Sequence, residues 1–285
     1  MDIRKLDDYN KSYFEGLERS SQYSYSTQYF WWKKYEALEK IIVKIIKSKY
    51  KKGDLIKIGD IGCQIGHDIF KLSETLKDYN IIWNGIDINF DFLKIAVQRR
   101  ELHKNHKFYF LRSSLENISL KKDIFDIVIC SEVVEHLIDT HKSMESFYDI
   151  LKSDGTAIIS TPNTENVSFD LAKFICKNIF KSAGKKFREE TKKEFEYREK
   201  IYTHIPEEDH TNLKSFDDWK KIFINAGFRI NSVKRGSMFY GSRYLDKYPI
   251  IFSAVIFFDR LFDRCFLFNK WSYNFFFVIK KNKKS

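Results

Sequence analysis

The sequence predicts an α/β fold, an open sheet of mostly parallel strands with helices on both faces. Short apolar runs rich in Ile, Val and Phe alternate with stretches of helical periodicity, which is typical of buried parallel strands and their connecting helices. The first run, 55–61, leads directly into a turn bounded by Gly62 and Gly66, and the first two runs carry acids near their ends, Asp60 and Asp87. At 285 residues, the chain is long enough for one such domain with insertions.

Residues 1–54 are expected to form a helical leader before the first strand. Aromatic residues cluster at 29–35, and apolar residues then follow at helical spacing up to Ile46. We expect the aromatic residues to pack this helix against the sheet. The alternative is that Tyr29 or Lys33 closes over a bound ligand.

The turn after the first strand predicts a ligand site. Glycine at 62 and 66 allows a ligand to approach the backbone, where a Cβ atom would clash. A dinucleotide site would need a further glycine between them, and a P-loop would need a following Gly-Lys-Ser/Thr. The carboxylate of Asp60 repels phosphate but suits an ammonium group. Asp87 follows Gly66 by about 20 residues, the spacing at which such folds place a ribose-binding acid.

The remaining strands and one helix follow from the same patterns. Strands are predicted at 81–89, 106–111, 125–130, 156–160, 228–233 and 271–280, the last of them antiparallel. A helix is predicted at 215–226, with Ser215 as its cap and Gly227 ending it.

Three stretches resemble one known family. DIGCQIG, residues 60–66, resembles motif I of the class I S-adenosylmethionine (SAM) methyltransferases, Asp/Glu-x-Gly-x-Gly-x-Gly, with Gln64 replacing the middle glycine. FDIVICSEVVEHL and GTAIISTPN resemble the branch containing ubiquinone-biosynthesis, glycan and small-molecule O-methyltransferases and the small-RNA 2′-O-methyltransferases. The resemblance covers roughly 55–163. It implies a Rossmann-like sheet of seven strands with helical lid insertions.

The resemblance also implies a cofactor site for SAM. Asp60 would hold the amino group and Asp87 the ribose, while Ser114 stands where many relatives have an acid for the adenine amino group. The full implied set is Asp60, Gly62, Cys63, Gly66, Asp87, Ile88, Ser114, Leu115 and Ser131.

Two acids and a histidine follow the fourth strand: Glu132, Glu135 and His136. On a helical turn starting near Glu132 they would share a face, where they can act as a general base or bind a divalent cation. By resemblance to the small-RNA enzymes, these three residues and His210 match a set that holds a metal such as Mg²⁺. The alternative is a base without metal, with Glu135, His136 or His210 in that role.

These observations predict a single SAM methyltransferase domain over 1–285, with a lid insertion at 164–205 and a C-terminal helical insertion at 237–270. Its predicted activity is O-methylation of a hydroxyl on a small molecule or a glycan or nucleotide-sugar precursor. The alternatives are an RNA 2′-O-methyltransferase, a quinone-precursor methyltransferase at the membrane, and a non-catalytic SAM-binding protein.

Charge and cysteine usage bear on partners and compartment. A net charge of +11 permits anionic partners, but no clear aromatic stacking platform supports nucleic acid, which is not favoured. A basic amphipathic helix at 166–181 would allow peripheral membrane contact, although packing on its own domain is the favoured alternative. Four scattered cysteines, no signal peptide and no uncharged membrane-length run indicate a cytoplasmic protein of undetermined oligomeric state.

Overall fold

The computed structural model describes residues 25–165, 189, 212–238, 249–262 and 272–282. The strands are β1 (Leu55–Ile61), β2 (Asn80–Asp87), β3 (Lys107–Arg112), β4 (Phe125–Ser131), β5 (Leu151–Pro162), β6 (Phe228–Arg235) and β7 (Asn274–Lys281). The helices are α1 (Tyr25–Lys49), α2 (His67–Thr75), α3 (Phe90–Arg100), α4 (Thr140–Ile150), α5 (Phe216–Asn225) and α6 (Pro249–Phe262). Two short 3₁₀ turns cover Leu115–Asn117 and Val134–His136.

The seven strands form one sheet in the order β3-β2-β1-β4-β5-β7-β6. Strands β1 to β5 pair in parallel, and β7 runs antiparallel to both β5 and β6. The predicted fold class is therefore confirmed, including the antiparallel last strand. The largest difference is in β5, which begins at Leu151 rather than at 156. This happens because Leu151 pairs with Phe125 beyond an irregularity in the β4–β5 ladder.

Apolar side chains form a core on each face of the sheet. On one face, Trp219 and Phe223 of α5 pack with Phe147 of α4. On the other, Leu38 of α1 and Phe70 of α2 pack over β1 and β2. These side chains are at most 1% exposed, so burial of both helix layers supplies the main hydrophobic stabilisation.

Helix α1 crosses the sheet between the amino-terminal and the carboxyl-terminal ends of the parallel strands. Near its end, the Lys49 ammonium lies 2.9 Å from the Asp154 carboxylate, at the amino-terminal part of β5. Towards its beginning, the ring of Phe30 meets that of Tyr273 at 5.0 Å, just before β7. Because β7 is antiparallel to β5, Tyr273 lies at the carboxyl edge of the parallel strands. The early residues of α1 therefore approach the edge where open α/β sheets bind ligands.

Helix α6 packs against α1 near the same edge. The Tyr29 hydroxyl donates a hydrogen bond of 2.8 Å to Asp259 Oδ2, and the Arg260 guanidinium lies 5.5 Å from the centre of the Trp32 ring. The predicted cap of α5 is also present, since Ser215 Oγ accepts a hydrogen bond from the Asp218 N–H at 3.2 Å.

Several predicted features lie outside the described residues. These are the first part of the leader, almost all of the predicted lid at 164–205, His210, and the parts of the C-terminal insertion on either side of α6. Within the ranges that are described, no helix has both the length and the apolar character needed to cross a membrane.

Candidate functional site

The two predicted ligand-binding acids lie at the same edge of the sheet. Asp60 pairs with Gly85 in the β1–β2 ladder, and Asp87 lies two positions further along β2, opposite Arg112 of β3. Asp60 is 3% exposed and Asp87 is 7% exposed. Two buried carboxylates therefore line the carboxyl ends of adjacent parallel strands, as the sequence predicted.

The turn between β1 and α2 is shaped by three left-handed residues. Gly62 has φ of 72° and Gly66 has φ of 77°. A Cβ atom at Gly62 would clash with Val133 Cγ2, so only glycine fits both the conformation and the space. Gln64, which replaces the glycine usual in the related motif, also takes a left-handed φ of 48°. This costs on the order of 1 kcal/mol.

A hydrogen bond from the Gln64 N–H to the Asp87 carboxylate holds Gln64 in that conformation. The Gln64 N–H donates to Asp87 Oδ2, and the Asn89 N–H donates to Asp87 Oδ1, each at 2.8 Å. A carboxylate has about four acceptor positions and can accept from more than two donors. Asp87 is thus oriented by the backbone and retains the chemistry needed to hold a ribose.

Electrostatics at Asp60 favour a cationic ligand. Burial raises the pKa of this carboxyl well above its ordinary value, and the neighbouring Asp68 and Asp87 raise it further, while Lys34 acts in the opposite direction. A buried carboxylate is costly without a positive partner. An ammonium group placed beside Asp60 would offset this cost, whereas a phosphate would increase it. The residues present therefore fit the amino group of SAM.

Comparison with known proteins identifies the family. A profile of the methyltransferase domain matches residues 52–227, more than half of the chain. The chain belongs to the methyltransferase domain family. The predicted class, a class I SAM-dependent methyltransferase, is confirmed.

The curated relatives of this methyltransferase include ubiquinone biosynthesis O-methyltransferases. That of Glaesserella parasuis is 35% identical over 113 residues, covering 38% of this chain and 45% of the relative. That of Rickettsia bellii is 30% identical over 159 residues, covering 52% and 61% respectively. The chain thus spans about half the length of the curated relatives that it matches.

A solved structure supports the methyltransferase fold. The CMeT domain of the citrinin polyketide synthase aligns over 100% of this chain and 60% of its own, with a TM-score of 0.55 and 14% identity. At this identity the likeness shows the fold alone.

The other predicted cofactor residues of this methyltransferase lie around the same edge. Cys63 is 5% exposed and Leu115 is 4% exposed, whereas Ile88, just beyond Asp87, is 66% exposed. Ser114 Oγ accepts a hydrogen bond from the Glu116 N–H at 3.2 Å and so caps the short turn after β3. Ser131 Oγ lies 3.0 Å from Ser160 Oγ. The Ser114 hydroxyl therefore already has a structural role.

The helical turn predicted to start near Glu132 is not formed. Glu132 has a left-handed φ of 57°, and the 3₁₀ turn begins only at Val134. The reason is a pair of hydrogen bonds to Ser160 of β5, whose carbonyl accepts from the Glu132 N–H at 3.0 Å and whose hydroxyl donates to Glu132 Oε1 at 2.7 Å. Glu132 is therefore held against β5.

Glu135 and His136 form a separate pair. Glu135 is fully buried, and neither of its carboxylate oxygens has a hydrogen-bond partner within the described residues. Burial raises the pKa of Glu135 well above its ordinary value, and Glu132 raises it further. His136 Nε2 lies 4.0 Å from Glu135 Oε1, and the His136 side chain is 23% exposed. The buried carboxylate of Glu135 thus lies next to the partly exposed imidazole of His136.

The predicted metal set is described only in part, because His210 lies outside the described residues. Among the residues that are described, no group of three or more His, Cys, Asp or Glu side chains is arranged to hold a metal ion. Metal binding by Glu132, Glu135, His136 and His210 stays a prediction.

Two charged residues near Asp60 were not predicted. Lys34 of α1 is 8% exposed, with its ammonium 4.5 Å from the centre of the Trp31 ring. Asp68 lies in the first turn of α2, where it raises the pKa of Asp60. The available signal for Lys34 was its position four residues before Leu38, on the buried face of the helix.

Replacing Asp87 with alanine is expected to weaken binding of S-adenosylhomocysteine at least about tenfold. The variant removes the predicted ribose acceptor and leaves the Gln64 and Asn89 N–H groups without their carboxylate. Isothermal titration calorimetry measures the change. Asp91→Ala is the control, because Asp91 is exposed and pairs with Lys94 at 3.0 Å. Unchanged affinity in Asp87→Ala would remove this residue from the site.

Proposed function

We propose that this protein transfers the methyl group of SAM to a hydroxyl of a small-molecule acceptor. The observation that carries the proposal is the pair of buried acids, Asp60 and Asp87, at one sheet edge beside a turn that requires glycine. The named activity of the curated relatives supports an oxygen acceptor and favours a quinone precursor over a glycan or nucleotide sugar.

SAM supplies an electrophilic methyl group on a sulfonium. The residues of the chain have the tasks of orientation and proton transfer. Asp60 would bind the amino group and Asp87 the ribose, and together they would orient the cofactor. Positioning of this kind accounts for several kcal/mol of a barrier, about 7–11 in the best intramolecular cases.

The acceptor hydroxyl must also lose its proton, and His136 is the proposed base. Its imidazole is partly exposed, so an acceptor can reach it, and Glu135 lies behind it. Because burial makes the Glu135 carboxylate costly as an anion, a positive charge forming on His136 would stabilise it. Proton uptake by His136 and charge on Glu135 would therefore support each other. His210, alone or with a metal, remains a predicted contributor.

The experiment that tests this function is an acceptor panel with isotopically labelled SAM. The panel contains phenolic quinone precursors in detergent or vesicles, nucleotide sugars, and short RNAs. We expect label in the phenol fraction, located on oxygen by mass spectrometry. Transfer only to a sugar or to RNA would overturn the quinone-precursor acceptor. SAM binding without transfer to any member would instead support a non-catalytic SAM-binding protein.

A further inference from the structure

We propose that helix α6 docks on an anionic lipid surface through an apolar stripe that it leaves exposed. The α6 stripe consists of five side chains: Ile250, Ala254, Phe257, Phe258 and Leu261. The inference goes beyond the proposed function, because docking requires neither SAM nor a methyl acceptor. It also concerns a different segment from the basic helix predicted at 166–181, which lies outside the described residues.

Exposure marks the α6 stripe as one continuous side of the helix. Its positions, 250, 254, 257, 258 and 261, follow the three- and four-residue spacing of a helix face. The exposed fractions are 85% for Ile250, 62% for Phe257, 47% for Phe258 and 52% for Leu261, and Ala254 is exposed as well. Single exposed apolar residues are ordinary, whereas a contiguous group on one helix face marks an interaction surface.

The opposite side of α6 is covered by the domain. Asp259 on that side is fully buried in its salt bridge with Arg235, and the ring of Phe252 meets that of Tyr29 at 6.2 Å. No charged residue precedes Asp259 in the helix. A helix that is apolar on both sides is normally buried all round. The α6 stripe therefore requires a cover that the described part of the chain does not supply.

The charges around the α6 stripe fit an anionic lipid surface. The one acid of α6, Asp259, is neutralised by Arg235 inside the domain, whereas its one base, Arg260, is exposed. The Arg260 guanidinium lies 5.5 Å from the centre of the ring of Trp32, a residue that is 40% exposed. Both side chains combine an apolar body with a polar end, which suits the boundary between lipid headgroups and acyl chains. The net charge of +11 also attracts anionic lipid and opposes the pairing of two copies.

The length and place of α6 favour a helix that lies in the lipid interface. Its 14 residues extend about 21 Å, less than the roughly 30 Å of a hydrocarbon core. The helix packs on α1 near the carboxyl edge of the sheet, where the Tyr29 hydroxyl donates to Asp259 at 2.8 Å. A protein docked through the α6 stripe would therefore hold the carboxyl edge of the sheet near the lipid surface.

Vesicle flotation without SAM or acceptor tests this surface. The vesicles contain phosphatidylglycerol and phosphatidylcholine in equal parts, or phosphatidylcholine alone. We expect the full chain to bind the anionic vesicles at least about tenfold more tightly than the neutral ones, and to lose this preference at high salt. The stripe variant Phe257→Gln, Leu261→Gln should bind the anionic vesicles at least about tenfold more weakly than the unmodified protein.

A matched control changes two similarly exposed apolar residues on other elements. Leu102, just after α3, is 49% exposed, and Ile224 of α5 is 53% exposed. The control variant Leu102→Gln, Ile224→Gln removes a similar amount of apolar surface and should keep the vesicle affinity of the unmodified protein. Because all four positions are exposed, both variants are expected to keep the fold, which circular dichroism checks.

The outcomes separate this inference from its alternatives and from the proposed function. Absence of vesicle binding, equal binding to both kinds of vesicle, full binding by the stripe variant, or equal weakening in both double variants would each overturn it. Dimers that only the stripe variant loses, without vesicle binding, would mean that the α6 stripe pairs with a second copy, and would overturn it too. Selective vesicle binding by a protein that transfers no methyl group would support the inference and reject the proposed function instead.

Discussion

Replacing Asp259 with alanine is expected to lower the free energy of unfolding by about 3–5 kcal/mol. Asp259 is fully buried and forms a salt bridge of 2.7 Å with Arg235, whose side chain is 3% exposed. Its carboxylate also accepts hydrogen bonds of 2.8 Å from the Met238 N–H and from the Tyr29 hydroxyl. The variant leaves a buried guanidinium and two further donors without this carboxylate. Removal of one partner from such a pair costs far more than the pair contributes.

Chemical denaturation at neutral pH measures this loss. The control is Asp78→Ala, because Asp78 and its partner Lys52 are both more than half exposed and their 3.0 Å ion pair is screened by water. The control should unfold at nearly the same denaturant concentration as the unmodified protein. The double variant Arg235→Met, Asp259→Leu should recover most of the stability, because no buried charge then stands alone. A loss in Asp259→Ala as small as that of the control would contradict the expectation.

The Asp259 network matters for the cofactor site because it joins three elements. Asp259 lies on α6, Arg235 ends β6, and Tyr29 lies on α1, one turn before Lys33. Loosening the network therefore releases the early part of α1 from α6. That part of the helix also carries Lys34, whose positive charge acts on Asp60, so the network joins the C-terminal helix to the surroundings of the cofactor site.

The sheet and the glycine turn could be predicted because their causes are local. Each parallel strand is a short apolar run of β-branched and aromatic residues, and the repeated strand–helix alternation leaves few topologies. Asp60 and Asp87 end up at one edge because parallel strands carry their carboxyl ends to the same side. Gly62 and Gly66 were singled out by residue type, and the structure adds that both take left-handed conformations.

The features that sequence reasoning missed depend on partners distant in the chain. Glu132 departs from a helical turn because Ser160, on another strand, holds both its N–H and its carboxylate. The charge of Lys34 acts on Asp60 and Asp68 only because α1 crosses the sheet in one particular direction. The burial of Asp259 depends on Arg235 and Tyr29, which no local pattern connects with it. Tertiary contacts of this kind override local preference.

Replacing His136 with alanine is expected to lower kcat by about 10²–10⁴-fold while leaving the affinity for S-adenosylhomocysteine within about twofold. The reason is that a positioned base contributes only to the proton-transfer part of the reaction. His136 is 23% exposed beside the buried Glu135 and is not among the residues predicted to bind the cofactor. Single-turnover kinetics with the best acceptor from the panel measures the first quantity, and calorimetry measures the second.

A second histidine provides the control for this variant. His141 lies at the start of α4, is 87% exposed, and faces Glu145 at 3.7 Å, so it is also a histidine next to an acid. His141→Ala should keep the full rate, which excludes a general effect of losing an imidazole. If His136→Ala also keeps nearly the full rate, His136 is not the base. If the rate and the cofactor affinity fall together, His136 acts by shaping the site. Only a loss of kcat at constant cofactor affinity supports proton transfer, because only the chemical step requires the imidazole to accept a proton.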